Sequence, residues 1–171
     1  MLSPDIIRTA PKVLLHDHLD GGLRPSTIVE LAKDLGVKNL PTYNVTELGD
    51  WMTATADRKD LELYLEAFSH TLSVMQTQDA LYRIAAECAE DLADDGIIYA
   101  EVRFAPELHL SKGLTVPQVI ESVLEGFKSG SEGKGIIVNT LICAIRSRTR
   151  SKEMLEHALH FRLKGVVGFD I

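Results

Sequence analysis

Four short apolar runs, Val13 to Leu15, Ile97 to Phe104, Ile136 to Ile145 and Gly165 to Ile171, alternate with longer stretches of helical spacing, and this rhythm constrains the fold more than any other feature. Repeated strand-then-helix units build a parallel sheet, because parallel neighbours need a crossover of a dozen or more residues and use those helices to cover the sheet. At this level a doubly wound sheet and a (β/α)₈ barrel are both open. Between the first two runs lie about 80 residues with helical patterns, including Pro25 to Leu35 and Leu61 to Met75, far more than a minimal crossover needs. They predict an inserted helical lid.

Pro25-Ser26-Thr27 followed by Ile28, Leu31, Ala32 and Leu35 reads as an amphipathic helix stopped at Gly36. A second helix is expected from about Thr77 to Asp94, with Ala80, Leu81, Ile84, Ala85, Cys88 and Leu92 on one side and Gly96 ending it. Its carboxylates Glu87, Glu90, Asp91, Asp94 and Asp95 read as a solvated face plus a loop. Ser129 to Gly135, rich in glycine and serine, reads as a flexible turn; it lacks the Gly-Lys-Ser/Thr ending of a nucleotide loop.

Four parallel strands, the last lying against the C-terminus, leave a sheet whose faces are incompletely covered, whereas a full barrel takes about 250 residues. The expectation is an α/β chain forming roughly the first half of a (β/α)₈ TIM-type barrel, strands 1 to 4 plus the lid, with residues 1–171 belonging to a single domain and no second domain.

The net charge of −7 argues against a phosphate-binding surface, since nucleic-acid binders cluster Lys and Arg. A small-molecule partner, with neither nucleic acid nor membrane, is expected. No segment approaches the roughly 20 apolar residues that span a bilayer, and the N-terminal MLSPDIIRTAPK lacks a secretory pattern, so a cytoplasmic location is expected. Cys88 and Cys143, far apart in apolar surroundings, read as buried reduced thiols.

The chemistry concentrates in Lys12-Val13-Leu14-Leu15-His16-Asp17-His18-Leu19-Asp20-Gly21-Gly22, an apolar strand that ends in polar groups and a glycine turn. Side chains alternate along a strand, so His16 and His18 project to one face, and Asp20 joins them if the extended geometry persists. Two imidazoles from one strand can hold zinc while leaving positions for other ligands and water. Barrel enzymes place their sites at this end of their strands. The spacing alone is only moderately specific, since histidines satisfied by local hydrogen bonds are common at strand ends. The paired glycines, which let backbone approach a ligand, and the acid two residues on strengthen the metal reading.

Pro11 to Pro25, read as PKVLLHDHLDGGLRP, closely resembles the opening signature of the adenosine deaminase family within the amidohydrolase superfamily. Gly96 to Pro106 is similar to that family's second strand, and Gly168-Phe169-Asp170-Ile171 looks like the start of its fourth-strand motif. The resemblance implies that His16 and His18 ligate one zinc ion, that Asp20 contacts the ribose 5′-hydroxyl, and that His18 also lies close to substrate. It further implies hydrolytic deamination of adenosine, and of 2′-deoxyadenosine, to inosine and ammonia in purine salvage. Adenine deaminases typically carry Glu where this sequence has Asp20, which favours a nucleoside and leaves adenine and modified purines as alternatives. By the same resemblance the third zinc histidine, the proton-donating Glu, the histidine base and the paired Asp residues would all follow Ile171. No catalytic residue is therefore expected within this chain, and the chain alone is expected to be inactive.

Other polar residues have ordinary readings beside functional ones. His157 and His160, three apart on a helix, could in principle share a metal but are expected on a surface far from the barrel mouth. His70 and His109 read as surface residues. Glu101 and Arg103 share a face, as a structural ion pair or as groups orienting a metal ligand. Leu61, Leu63, Tyr64, Leu65, Phe68 and Leu72 resemble the family's apolar lid, with core packing as the alternative. The zinc deaminases acting on cytidine need a Pro-Cys-x-x-Cys segment, which is absent. A hydrolase of another amide or ester remains open, as does a non-catalytic remnant that binds a partner through its sheet edge.

Overall fold

The computed structural model describes residues 3–57 and 61–171, with only the helical backbone described for 61–66. Among them, four strands form one parallel sheet in the order β1-β2-β3-β4: β1 (Lys12–His18), β2 (Ile97–Phe104), β3 (Ile137–Cys143) and β4 (Val166–Asp170). Sequential order separates the two architectures left open above. A doubly wound sheet reverses direction at a switch point, whereas here each crossover advances to the next strand, as in a barrel wall.

The helices are α1 (Pro4–Thr9), α2 (Pro25–Asp34), α3 (Val45–Ala56), α4 (Leu61–Val74), α5 (Gln78–Asp94), α6 (Val116–Ser131) and α7 (Ser151–Phe161). Local chemistry sets their ends. Asn44, Thr77 and Thr115 each cap the helix that follows by accepting backbone N–H bonds, Thr115 in a reciprocal capping box with Gln118. Gly96, at φ 79°, turns the chain from α5 into β2 where an added Cβ would lie 2.3 Å from the Arg8 carbonyl.

The core lies between the sheet and α5, α6 and α7. Ala100, Val102 and Phe104 of β2, with Thr140 and Ile142 of β3, face Leu81, Ile84, Ile120, Phe127 and Phe161, all buried. Burying each large apolar side chain contributes about 1.5–3 kcal/mol. The opposite face of the sheet is open: Val13, Leu15 and Ile137 are each more than half exposed.

Three expectations need correction here. The carboxylates Glu87, Glu90 and Asp91 are not a free solvated face. Arg24 binds Asp91 and Glu90, and Arg83 links Glu30 to Glu87, whose carboxylate also accepts from Thr27. These pairs tie α2, and with it the turn after β1, to α5. Nor is Ser129 to Gly135 all turn, since α6 runs to Ser131. Glycine content suggested a loop, but Gly130 is a helical position pressed against the Ala86 backbone.

His109 is the third. It is fully buried beside Phe104, with its Nδ1 3.0 Å from the Met75 carbonyl oxygen. Its partner lies 34 residues back along the chain, which is why a loop position looked superficial. Burial pushes its pKa down to about 4, against a smaller upward pull from the Met75 carbonyl. The unfolded chain therefore takes up a proton near pH 6.5 that the folded chain refuses until about pH 4. The resulting stability is present above pH 6.5 and lost as pH falls, by about 3 kcal/mol across that window. Urea melts of His109→Asn should lose correspondingly less between pH 6.5 and pH 4; parallel pH profiles would refute this.

Candidate metal-binding site

Burial along β1 alternates from Lys12 to Leu15 and then slips by one residue: Val13, Leu15, His16 and His18 all lie on the exposed side, and Leu14 and Asp17 on the helix side. The pairing explains the slip. Leu14 is level with Ala100 but Asp17 with Val102, so β1 carries an extra residue there, which is a β-bulge. Beyond it, His18 is level with Arg103.

The two imidazoles meet on the open face, ring centres 5.4 Å apart and planes inclined at 45°. Two imidazoles sharing one tetrahedral zinc, at about 2.1 Å each, have ring centres about 5 Å apart. The observed spacing and the nitrogen donors fit that ion. No third His, Cys, Asp or Glu joins them into a larger cluster among the described residues.

Asp20 reaches the site by a different route from the one the alternation suggested. Extended backbone ends at His18, and a 3₁₀ turn over Leu19–Gly21 follows. That turn buries Asp20 to 8% exposure and leaves its Oδ1 4.0 Å from His18 Nδ1. Burial raises its pKa; a bond from its own backbone N–H and the nearby His18 oppose the rise. Oδ1 is buried without a hydrogen-bond partner, an unmet acceptor of the kind that ligands satisfy.

Asp20 and Gly21 line a cavity of about 250 Å³ with Met52, Ala56, Phe68 and Thr71 of α3 and α4. The inserted helices therefore roof the acid. Phe68 and Leu72 of the expected lid are half-buried, while the side chains of Leu61, Leu63, Tyr64 and Leu65 fall outside the described residues. A larger recess of about 670 Å³ lies between α6 and α7 at the other end of the strands, by Ile136 and Gly165, and holds none of the candidate residues.

Glu101 and Arg103 do share a face but are not a pair. Glu101 accepts from the Tyr99 hydroxyl at 2.8 Å, whereas Arg103 reaches across the sheet to Asp170 of β4. Cys143, level with Asp170, is half-buried like Cys88, and both are unlinked. Burial pushes the Cys143 thiol up to about 11 and Cys88 up to about 12, so neither is primed as a nucleophile. His157 and His160 lie on α7, away from the other candidates; His70 is half-buried, edge-on to Trp51 at 5.3 Å. No described helix is long and apolar enough to cross a membrane.

Residues 11–171 match the family model for adenosine deaminase. Adenosine deaminase 1 of Streptomyces coelicolor is 59% identical over 99% of this chain and 44% of its own length. Adenosine deaminase of Mycobacteroides abscessus is 55% identical over 96% of this chain and 47% of its own. Among solved structures, the Arabidopsis N6-mAMP deaminase superposes with a TM-score of 0.81 at 30% identity, covering 97% of this chain and 51% of that one. The chain spans about half the length of the curated relatives it matches, and its four parallel strands correspond to the first half of their barrel.

Proposed function

Because the chain belongs to the adenosine deaminase family, we propose that the protein carrying it hydrolyses the amino group from C6 of adenosine and 2′-deoxyadenosine, giving inosine or deoxyinosine and ammonia. His16 and His18 are assigned as two ligands of a zinc ion, and His18 and Asp20 as substrate contacts. The observation that carries this reading is the convergence of the two imidazoles at 5.4 Å, beside a buried carboxylate oxygen with no partner.

A zinc ion held there supplies acidity, lowering the pKa of a bound water from 15.7 to about 7. The chain's own residues do the rest of what lies on this side of the barrel. The imidazoles present their ring nitrogens on the open face, held by a strand whose other side is packed. Asp20, fixed by the 3₁₀ turn, offers an acceptor to a hydroxyl such as that of ribose. Its low exposure strengthens that bond, because water competes poorly for a buried oxygen. The helices α3 and α4 over the cavity limit the water that reaches it.

The second reading, a modified purine nucleotide, has support from the Arabidopsis neighbour, whose description is N6-mAMP deaminase. The relatives at 55–59% identity are adenosine deaminases and favour the first. Steady-state rates on adenosine, adenine and N6-methyl-AMP decide between them: adenosine should have the highest kcat/KM. A buried charged-acceptor bond contributes about 1.5–3 kcal/mol, so Asp20→Ala should lower kcat/KM for adenosine roughly 10- to 150-fold and leave the rate on free adenine nearly unchanged. Equal losses on both substrates would remove Asp20 from ribose recognition.

A further inference from the structure

We infer that Arg103 is a positioning residue that aims the histidine pair, by holding the extra residue of β1 in place. The inference rests on the metal reading of His16 and His18 given above and goes beyond it to what directs them.

The register shows how much depends on one residue. If β1 continued past Leu14 without the bulge, His16 would fall level with Val102 and His18 with Phe104, both buried on the helix side. A one-residue slip moves every later side chain to the other face. Both imidazoles would then point into the apolar core. The extra residue, placed between Leu14 and Asp17, is what turns them outward while Leu14 stays packed.

A bulge leaves backbone groups without their ladder partners, and unpaired backbone groups must find others. Arg103 Nη2 donates to the Leu15 carbonyl oxygen at 3.1 Å, at the bulge and one residue before His16. Its Nη1 donates to Asp170 on β4. Arg103 is 8% exposed as a residue, and its side chain, reaching from β2, grips β1 with one nitrogen and β4 with the other. Arginine suits the task because its planar fork offers two directed donors at once; lysine at this position could serve one end only.

The test is zinc affinity of the whole protein that carries this chain, by chelator competition, with amide hydrogen exchange of His16 and Asp17 in the metal-free protein as a second readout. Supporting groups around metal ligands typically change affinity about 10- to 100-fold when removed. Arg103→Lys and Arg103→Leu should each lose affinity in that range and exchange faster at His16 and Asp17. Arg103→Leu leaves Asp170 without its partner and puts folding at risk, so the double variant R103M/D170L removes both charges together and leaves no unpaired charge behind. It should fold yet still bind zinc at least 10-fold more weakly, with His16 exchange accelerated. A double variant with wild-type zinc affinity and wild-type exchange would overturn the inference and leave Arg103 a structural pair. His16→Ala keeps the two ideas distinguishable: if it too binds zinc normally, the metal assignment has failed rather than the role of Arg103.

Discussion

Replacing His18 with alanine should leave the protein folded and without zinc. His18 lies on the open face of the sheet with its side chain half exposed, and truncating such a residue away from core features typically changes stability by about 0.5 kcal/mol or less. The loss of function should be far larger. Without the metal, the roughly nine-unit lowering of the water pKa disappears, and deamination of adenosine should fall about 10³-fold or more. His16→Ala should match it, because one imidazole cannot replace two. Zinc content by atomic emission, read beside the thermal midpoint, separates the outcomes. A His18→Ala protein that melts normally but retains stoichiometric zinc would show that the metal is held elsewhere.

A marked loss of stability is expected from one methyl group at Gly130. An added Cβ there would lie 2.1 Å from the Ala86 carbonyl oxygen, and one at Gly126 would lie 2.3 Å from that of Tyr82. Both obstacles are backbone, so α5 and α6 can accommodate the methyl only by moving apart, which opens the layer containing Phe127 and Leu81. Helix propensity alone favours alanine by about 1 kcal/mol. Overpacking of this kind costs about 1–3 kcal/mol, so the net effect of Gly130→Ala should be a loss of up to about 2 kcal/mol, or up to roughly 8 °C in Tm. A midpoint raised by the substitution, as propensity alone requires, would mean that the two helices are not so closely apposed.

The same glycine shows where sequence reasoning stops. Composition marks Ser129 to Gly135 as loop, and nothing local reveals that a second helix needs Gly126 and Gly130 for its approach. By contrast, β2 was legible at both ends: an apolar run from Ile97 to Phe104 bounded by Gly96 and Pro106 needs no tertiary information. His16 and His18 were legible for a similar reason, since two residues of one strand share a face whatever the rest of the chain does. Which face they share was not. Val13, Leu14 and Leu15 are all apolar, as in strands flanked on both sides, so the sequence carries no mark of the phase slip at the bulge. Arg103 and Asp170 lie 67 positions apart, beyond any periodicity argument, and Glu101 seemed the natural partner only because it was near. Asp20 does lie beside His18, but through a turn that follows the strand rather than through the continued extension that the alternation required.

These residues make the histidine pair the centre of the account, and its most direct test is to locate the metal. Crystals of the zinc-loaded protein carrying this chain, measured on either side of the zinc absorption edge, should give an anomalous peak within bonding distance of one nitrogen each from His16 and His18. A peak elsewhere, with both imidazoles free of metal, would contradict the assignment and with it the proposed chemistry.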